Sequence, residues 1–183
     1  VDRAARIGET ITKRYAANHV FTGYEYFPGG GDYTVPGMKI DASKASLMDD
    51  DGHVFAQLIG ATAEEHPMIM VNAVKVTSID ANHPVSLSKP IITDWLRNEL
   101  GFEGVVITDD IEVGAAVAGM SIEDYAIQTI NAGSDMVIIC KHPKHIKAVH
   151  DALTQAVENG TISEARLDES VRRIMLMKFS NNQ

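Results

Sequence analysis

The chain has 183 residues, 45% hydrophobic and 22% charged, enough for one domain (1–183) with a sizeable core. Its formal net charge of −9 comes without a basic patch, which argues against nucleic-acid binding, and no apolar run approaches the length of a membrane span. Cys140 is the single cysteine, so an internal disulfide and a cysteine metal cluster are excluded, and its place in the apolar run MVIIC reads as a small buried core residue.

Val1 is followed at once by an Arg-bearing amphipathic segment in place of a signal peptide. The reading is a piece of a longer protein, with a cytoplasmic location the expectation. Residues 2–18 predict a helix in which Ala5, Ile7, Ile11, Tyr15 and Ala16 share an apolar face. His19–Phe27, rich in β-branched and aromatic residues, predicts a strand. The run Phe27–Asp32, FPGGGD, breaks it, and residues 32–46 read as a long irregular loop, a kind of segment that is functional or mobile.

Leu47–Glu65 predicts one helix, its first turn favoured by Asp49, Asp50 and Asp51. These acids lack the alternating spacing of a calcium loop and read as a solvated helix start. Met68–Val76, MIMVNAVKV, predicts a strand with Asn72 and Lys75 as polar interruptions. After a turn-rich stretch, Ser88 and Pro90 open a helix that stops at Gly101. Further on come a helix over about 121–132, a buried strand Asp135–Cys140, and helices over about 143–158 and 163–178.

Between these lies Gly101–Ala115, GFEGVVITDDIEVGA. Val105, Val106 and Ile107 read as a fully buried strand of a parallel sheet, and a helical pattern follows Asp110. Thr108, Asp109 and Asp110 close that strand at the sheet end where α/β folds build active sites. A helix cap explains the acids equally well, and one acid can cap while the other reacts. The alternation of strand and helix gives an α/β fold with four βα units and a parallel sheet.

The segments FPGGGD, MIMVNAVKV, HPVSLSKPIITDWLRNELGFEGVVITDDIEVGAA, NAGSDMVIIC and ESVRRIMLMK together resemble the catalytic domain of glycoside hydrolase family 3, most of all its β-N-acetylglucosaminidase branch. The likeness runs from about Val20 to Lys178. It implies a (β/α)8 barrel of the TIM type, of which this chain is long enough for half, its four strands matching the fifth through the eighth. It also implies a retaining hydrolase of terminal β-linked N-acetylglucosamine or a related hexoside, with Asp109 as nucleophile and no cofactor. Asp110 would orient the loop or the nucleophile. Asn72, Asp110 and Glu25 are the expected substrate-binding residues.

Several family residues are replaced. The family loop K-H-F-P-G-H-G-D aligns with Glu25–Asp32, so Glu25 stands for lysine, and Tyr26 and Gly30 stand for histidines. The acid/base motif D-S-H aligns with Pro36, Gly37 and Met38, and the histidine of the next strand with Ala73. A missing general acid costs about two to four orders of magnitude in rate. The alternative is therefore a catalytically inactive member that binds sugar or serves as a scaffold. His142 and His145 hint at a metal by their spacing, but a solvated helix face is the plainer reading and no metal is assigned. The expected partners are a carbohydrate and, because four parallel strands leave two open edges, either a second copy of the chain or the other half of the barrel.

Overall fold

The computed structural model describes residues 2–29 and 35–180. The glycine-rich loop is thus described up to Gly29, and Gly30, Gly31 and Asp32 lie outside the described residues. Helix α1 (Asp2–Ala16) leads into strand β1 (Gly23–Phe27), and β2 (Lys39–Ile40), α2 (Lys44–Asp49) and α3 (Asp51–Ala61) follow. Next come β3 (Met68–Val71), β4 (Lys75–Val76), a π-type helix over Pro90–Glu99, β5 (Val106–Asp110) and α4 (Ile111–Ala118). The chain continues through α5 (Ile122–Ala132), β6 (Met136–Ile138), α6 (Pro143–Glu158) and α7 (Glu164–Ser180).

The main sheet has the order β1-β3-β5-β6, and every pairing in it is parallel. Sequential strands lie side by side with helices between them, the arrangement of part of a (β/α) barrel. Ile69, Val71 and Val106 are fully buried and pack with Phe27, Phe55 and Trp95 into the main core. Phe27 meets Phe55 edge-on at 5.4 Å between ring centroids and Trp95 at 5.1 Å. Such aromatic contacts contribute about 0.5–1.5 kcal/mol beyond their buried area.

The predicted elements differ from the observed ones in ways that have physical causes. The helix expected over 47–65 is two helices. Asp50 breaks it with φ −116° and ψ −108°, and Ser43 caps the earlier piece by accepting from the Ser46 N–H at 3.1 Å. The strand expected over 68–76 divides at Asn72. Its second part, β4, leaves the main sheet and pairs with β2 in a small parallel sheet of two strands. That small sheet also orders the segment expected to be irregular. The Gly37 N–H donates to the Ala73 carbonyl (3.0 Å), Lys75 to Met38 (2.9 Å) and Thr77 to Ile40 (3.1 Å). Gly37 has φ +85°, and a Cβ there would sit 2.9 Å from Val117 Cγ1.

The apolar face expected on α1 is also corrected. Ala5 and Thr12 are buried, whereas Ile7, Ile11 and Tyr15 are about half exposed, at 49%, 47% and 51%. The cause is close approach: a Cβ on Gly8 would lie 3.1 Å from Leu58, so α1 docks through its small residues. Thr12, Tyr24 and Thr62 then form a chain of hydroxyl contacts at 2.9 Å each. Cys140 is exposed rather than buried. The half-buried strand β6 that leads to it is an edge of the sheet among the described residues, which leaves this end of the apolar run uncovered there by a further strand.

One buried ion ties the last elements together. The Asp135 side chain is fully buried and accepts from Arg97 at 2.6 Å, Arg173 at 3.1 Å, Arg166 at 3.3 Å, Ser170 at 2.7 Å and the Val106 N–H at 3.0 Å. Burial depresses the Arg97 guanidinium to about 10, against the attraction of Asp135. Removing one partner of such a buried pair leaves charge uncompensated. Asp135→Asn is therefore expected to lower stability by roughly 3–5 kcal/mol in urea unfolding.

A second acid, Asp80, holds the turn before the π-type helix. It accepts from the backbone of Asn82 (3.1 Å) and His83 (3.0 Å) and from the Ser88 hydroxyl (2.9 Å). Burial would raise its pKa, but these donors outweigh burial and hold it below its ordinary 3.8. A carboxyl depressed in the folded state stabilises above its unfolded pKa, and that contribution is lost as pH falls through the folded value. Asp80→Asn should lower the melting temperature at pH 7, and the gap to the unmodified chain should close as the pH drops below about 4.

Candidate active site

The carboxyl end of β5 carries the acids. Thr108, just before them, is buried and accepts from the Ile138 N–H at 3.2 Å, which fixes β6 against this end of the sheet. Asp109 is half-buried, and its Oδ1 accepts from the Asp110 N–H at 2.7 Å. Asp110 caps α4, its Oδ1 accepting from the Glu112 N–H at 3.0 Å. Of the two readings of this acid pair, Asp110 thus takes the cap, and Asp109 does not.

Asp109 and Asp110 line a small hollow of about 10 Å³ with Asn72, Pro36, Ala73 and Tyr125. Such a volume holds about one water. The hollow is narrow because α4 and α5 are in close contact: a Cβ on Gly114 would lie 2.4 Å from the Tyr125 hydroxyl. That hydroxyl is 2.6 Å from the Ser86 hydroxyl. A larger cleft of about 570 Å³ lies along β1, lined by Glu25, Tyr24, Tyr26, Asp51 and, again, Asn72.

The sequence candidates are therefore divided between two neighbouring concavities. Asp109 and Asp110 lie on the small one, Glu25 on the large one, and Asn72 on both. Asn72 is buried, and its Oδ1 accepts from the Val74 N–H at 3.3 Å, so it also shapes the break between β3 and β4. Tyr26 belongs electrostatically to both groups. Burial pushes its phenol pKa up, and the charges of Asp109 and Glu25 add to that. Burial likewise raises Tyr125, with the Ser86 hydrogen bond opposing and the Asp109 charge reinforcing. Sequence reasoning passed over Tyr125 and Ser86, because an aromatic on a helix and a serine in a turn carry no local mark of meeting.

Beyond the acids, Glu112 in the first turn of α4 receives His142 Nδ1 at 2.6 Å and His145 Nδ1 at 2.7 Å on one oxygen. Its other oxygen accepts from the Lys141 N–H at 2.5 Å. Burial would raise this carboxyl, but these three donors reverse the effect and hold it at about 2. The two histidines were visible as a pair in the sequence. Their acid partner, some thirty positions away, was not.

Against known proteins, the glycosyl hydrolase family 3 N-terminal domain profile matches residues 1–177. The chain belongs to glycoside hydrolase family 3. Beta-hexosaminidase A of Pseudoalteromonas piscicida is 27% identical over 194 aligned residues, covering 94% of this chain and 32% of that protein. An uncharacterized secreted glycosyl hydrolase of Arthroderma benhamiae is 28% identical, covering 93% of this chain and 50% of its own length. Among solved structures, the family 3 β-N-acetylglucosaminidase of Paenibacillus sp. str. FPU-7 superposes with a TM-score of 0.88 at 29% identity, covering 97% of this chain and 34% of that one. The β-N-acetylglucosaminidase of Thermotoga maritima gives 0.85 at 26% identity, covering 97% and 40%. The chain thus spans about a third to a half of the length of these family members.

Proposed function

We propose that this family 3 chain supplies the nucleophile side of a retaining β-N-acetylhexosaminidase site, with Asp109 as the attacking carboxylate. The carrying observation is the division of labour at the end of β5: Asp110 is committed to capping α4, while Asp109 lines the hollow. In this reading an Asp109 oxygen attacks the anomeric carbon, the glycosidic bond breaks, and the aglycone departs with the bonding pair. Water then attacks the same carbon and releases Asp109. The Asp110 N–H, donating to Asp109 Oδ1 at 2.7 Å, orients the carboxylate at the end of β5. The substrate class follows the names of the relatives, and Asn72 and Glu25 border the cleft that would receive the sugar.

The leaving oxygen of a natural glycoside needs a proton. Pro36 and Ala73, which stand at family histidine or acid/base positions, instead give the hollow an apolar border. A second reading, a non-catalytic sugar-binding member, rests on that border. An aryl N-acetyl-β-glucosaminide whose phenolate leaves unprotonated separates the two. Turnover that falls by about 10³-fold or more in Asp109→Asn supports the nucleophile. Turnover unchanged in that variant sinks it, and binding of the sugar without turnover supports the second reading.

The same reading needs the remaining strands of the barrel. Among the described residues β1 and β6 each pair on one side, and the flanking helices expose apolar stripes: Ile7, Ile11 and Tyr15 on α1, and Leu167, Val171, Met175 and Phe179 on α7. Apolar faces of this extent mark association. Sedimentation of the chain alone is expected to show dimers or larger species, and a clean monomer at tens of micromolar would leave only a separate half-barrel as partner.

A further inference from the structure

The helix starts beside the β5 acids carry a cluster that the proposed glycosidase chemistry does not use. Glu112 comes from the first turn of α4, His142 stands immediately before the first residue of α6, and His145 lies in the first turn of α6. Their ligand atoms all lie within 4.8 Å of one another. We infer that Glu112, His142 and His145 form a binding site for a divalent transition metal, zinc foremost.

The donor set points to that class. Two imidazoles and one carboxylate suit zinc, nickel or copper, whereas calcium and magnesium take oxygen ligands. Both Nδ1 atoms are directed at a single carboxylate oxygen, at 2.6 and 2.7 Å. In that arrangement each Nδ1 carries a proton towards Glu112, and one metal ion takes the place of both protons. Zinc with ligands at about 2.0–2.2 Å needs its donors about 3.3 Å apart, so each oxygen–nitrogen pair has to open by less than about 1 Å. His142 is 56% exposed and His145 28%, so the rings have room to move.

Glu112 is the fixed member, its side chain only 6% exposed. The Lys141 N–H on its second oxygen orients the carboxylate, as groups behind metal ligands generally do. The positive ends of α4 and α6 oppose a cation here, each by about half a charge, against the full charge of Glu112. Asp109 and Asp110 add negative charge at the same end of β5. The inference stands whether or not Asp109 is a nucleophile, because none of the three ligands takes part in the proposed sugar reaction.

The test is a calorimetric titration of Zn²⁺ alone into the chelator-treated full chain, with circular dichroism to verify folding. One equivalent is expected to bind. His142→Ala, His145→Ala and Glu112→Gln should each weaken binding at least about tenfold. His150→Ala on the same helix, and Cys140→Ser, should leave it unchanged. His142 is exposed, so its variant remains informative even if loss of buried Glu112 disturbs the fold. The inference is overturned if no stoichiometric zinc binds, if His142→Ala and His145→Ala bind as the unmodified chain does, or if Cys140→Ser abolishes binding.

Discussion

The Asp135 carboxylate is the constraint from which the rest of the architecture follows. It lies just before β6, yet its partners come from the π-type helix, from β5 and from α7. Three guanidinium groups surround one fully buried carboxylate, and Arg97 and Arg166 also donate to backbone carbonyls of Gly133 and Ser134. A cluster of this kind contributes little net stability over an apolar core, but it tolerates few alternative arrangements. It therefore fixes the register in which β6 meets β5, and with it the position of the strand ends. Asp109 and the Glu112 cluster both lie on the face set by that register, at the opposite end of the same two strands from Asp135.

Much of this was legible in the sequence because each βα unit states its own period. Val105, Val106 and Ile107 are an apolar run bounded by Gly104 and the acids, and a strand is there, but it runs from Val106 through the acids to Asp110, and Ile107 is half-buried where full burial was expected. The order and direction of the four main strands follow from the crossover rule once the helices between them are recognised. Family 3 membership was likewise readable, because the stretch from His83 to Ala116 retains the family pattern over many consecutive positions.

What was not legible depends on neighbours that are distant in sequence. Asp50 breaks a helix beside Gly52, at which a Cβ would lie 2.8 Å from the Leu47 carbonyl oxygen, and a lone glycine inside a helical pattern is too weak a local signal to mark the break. The apolar periodicity of α1 is real, but Gly8 and Leu58 decide which side is buried, and they place Ile7, Ile11 and Tyr15 outward. Cys140 ends an apolar run that looks like core, yet among the described residues β6 is the edge strand and leaves that run uncovered. The Glu112 cluster could not be found from spacing, since its acid and its imidazoles belong to successive βα units.

The small sheet formed by β2 and β4 limits what the segment leading into it can carry. Gly37 lies just before β2, with a left-handed backbone and Val117 close to where its side chain would be. An L-residue there is strained whatever its chemistry. Placing an aspartate and a histidine at Pro36 and Met38 would flank this glycine with functional groups while leaving its backbone constraint in place, so a proton donor engineered for this site is better borne by a different element.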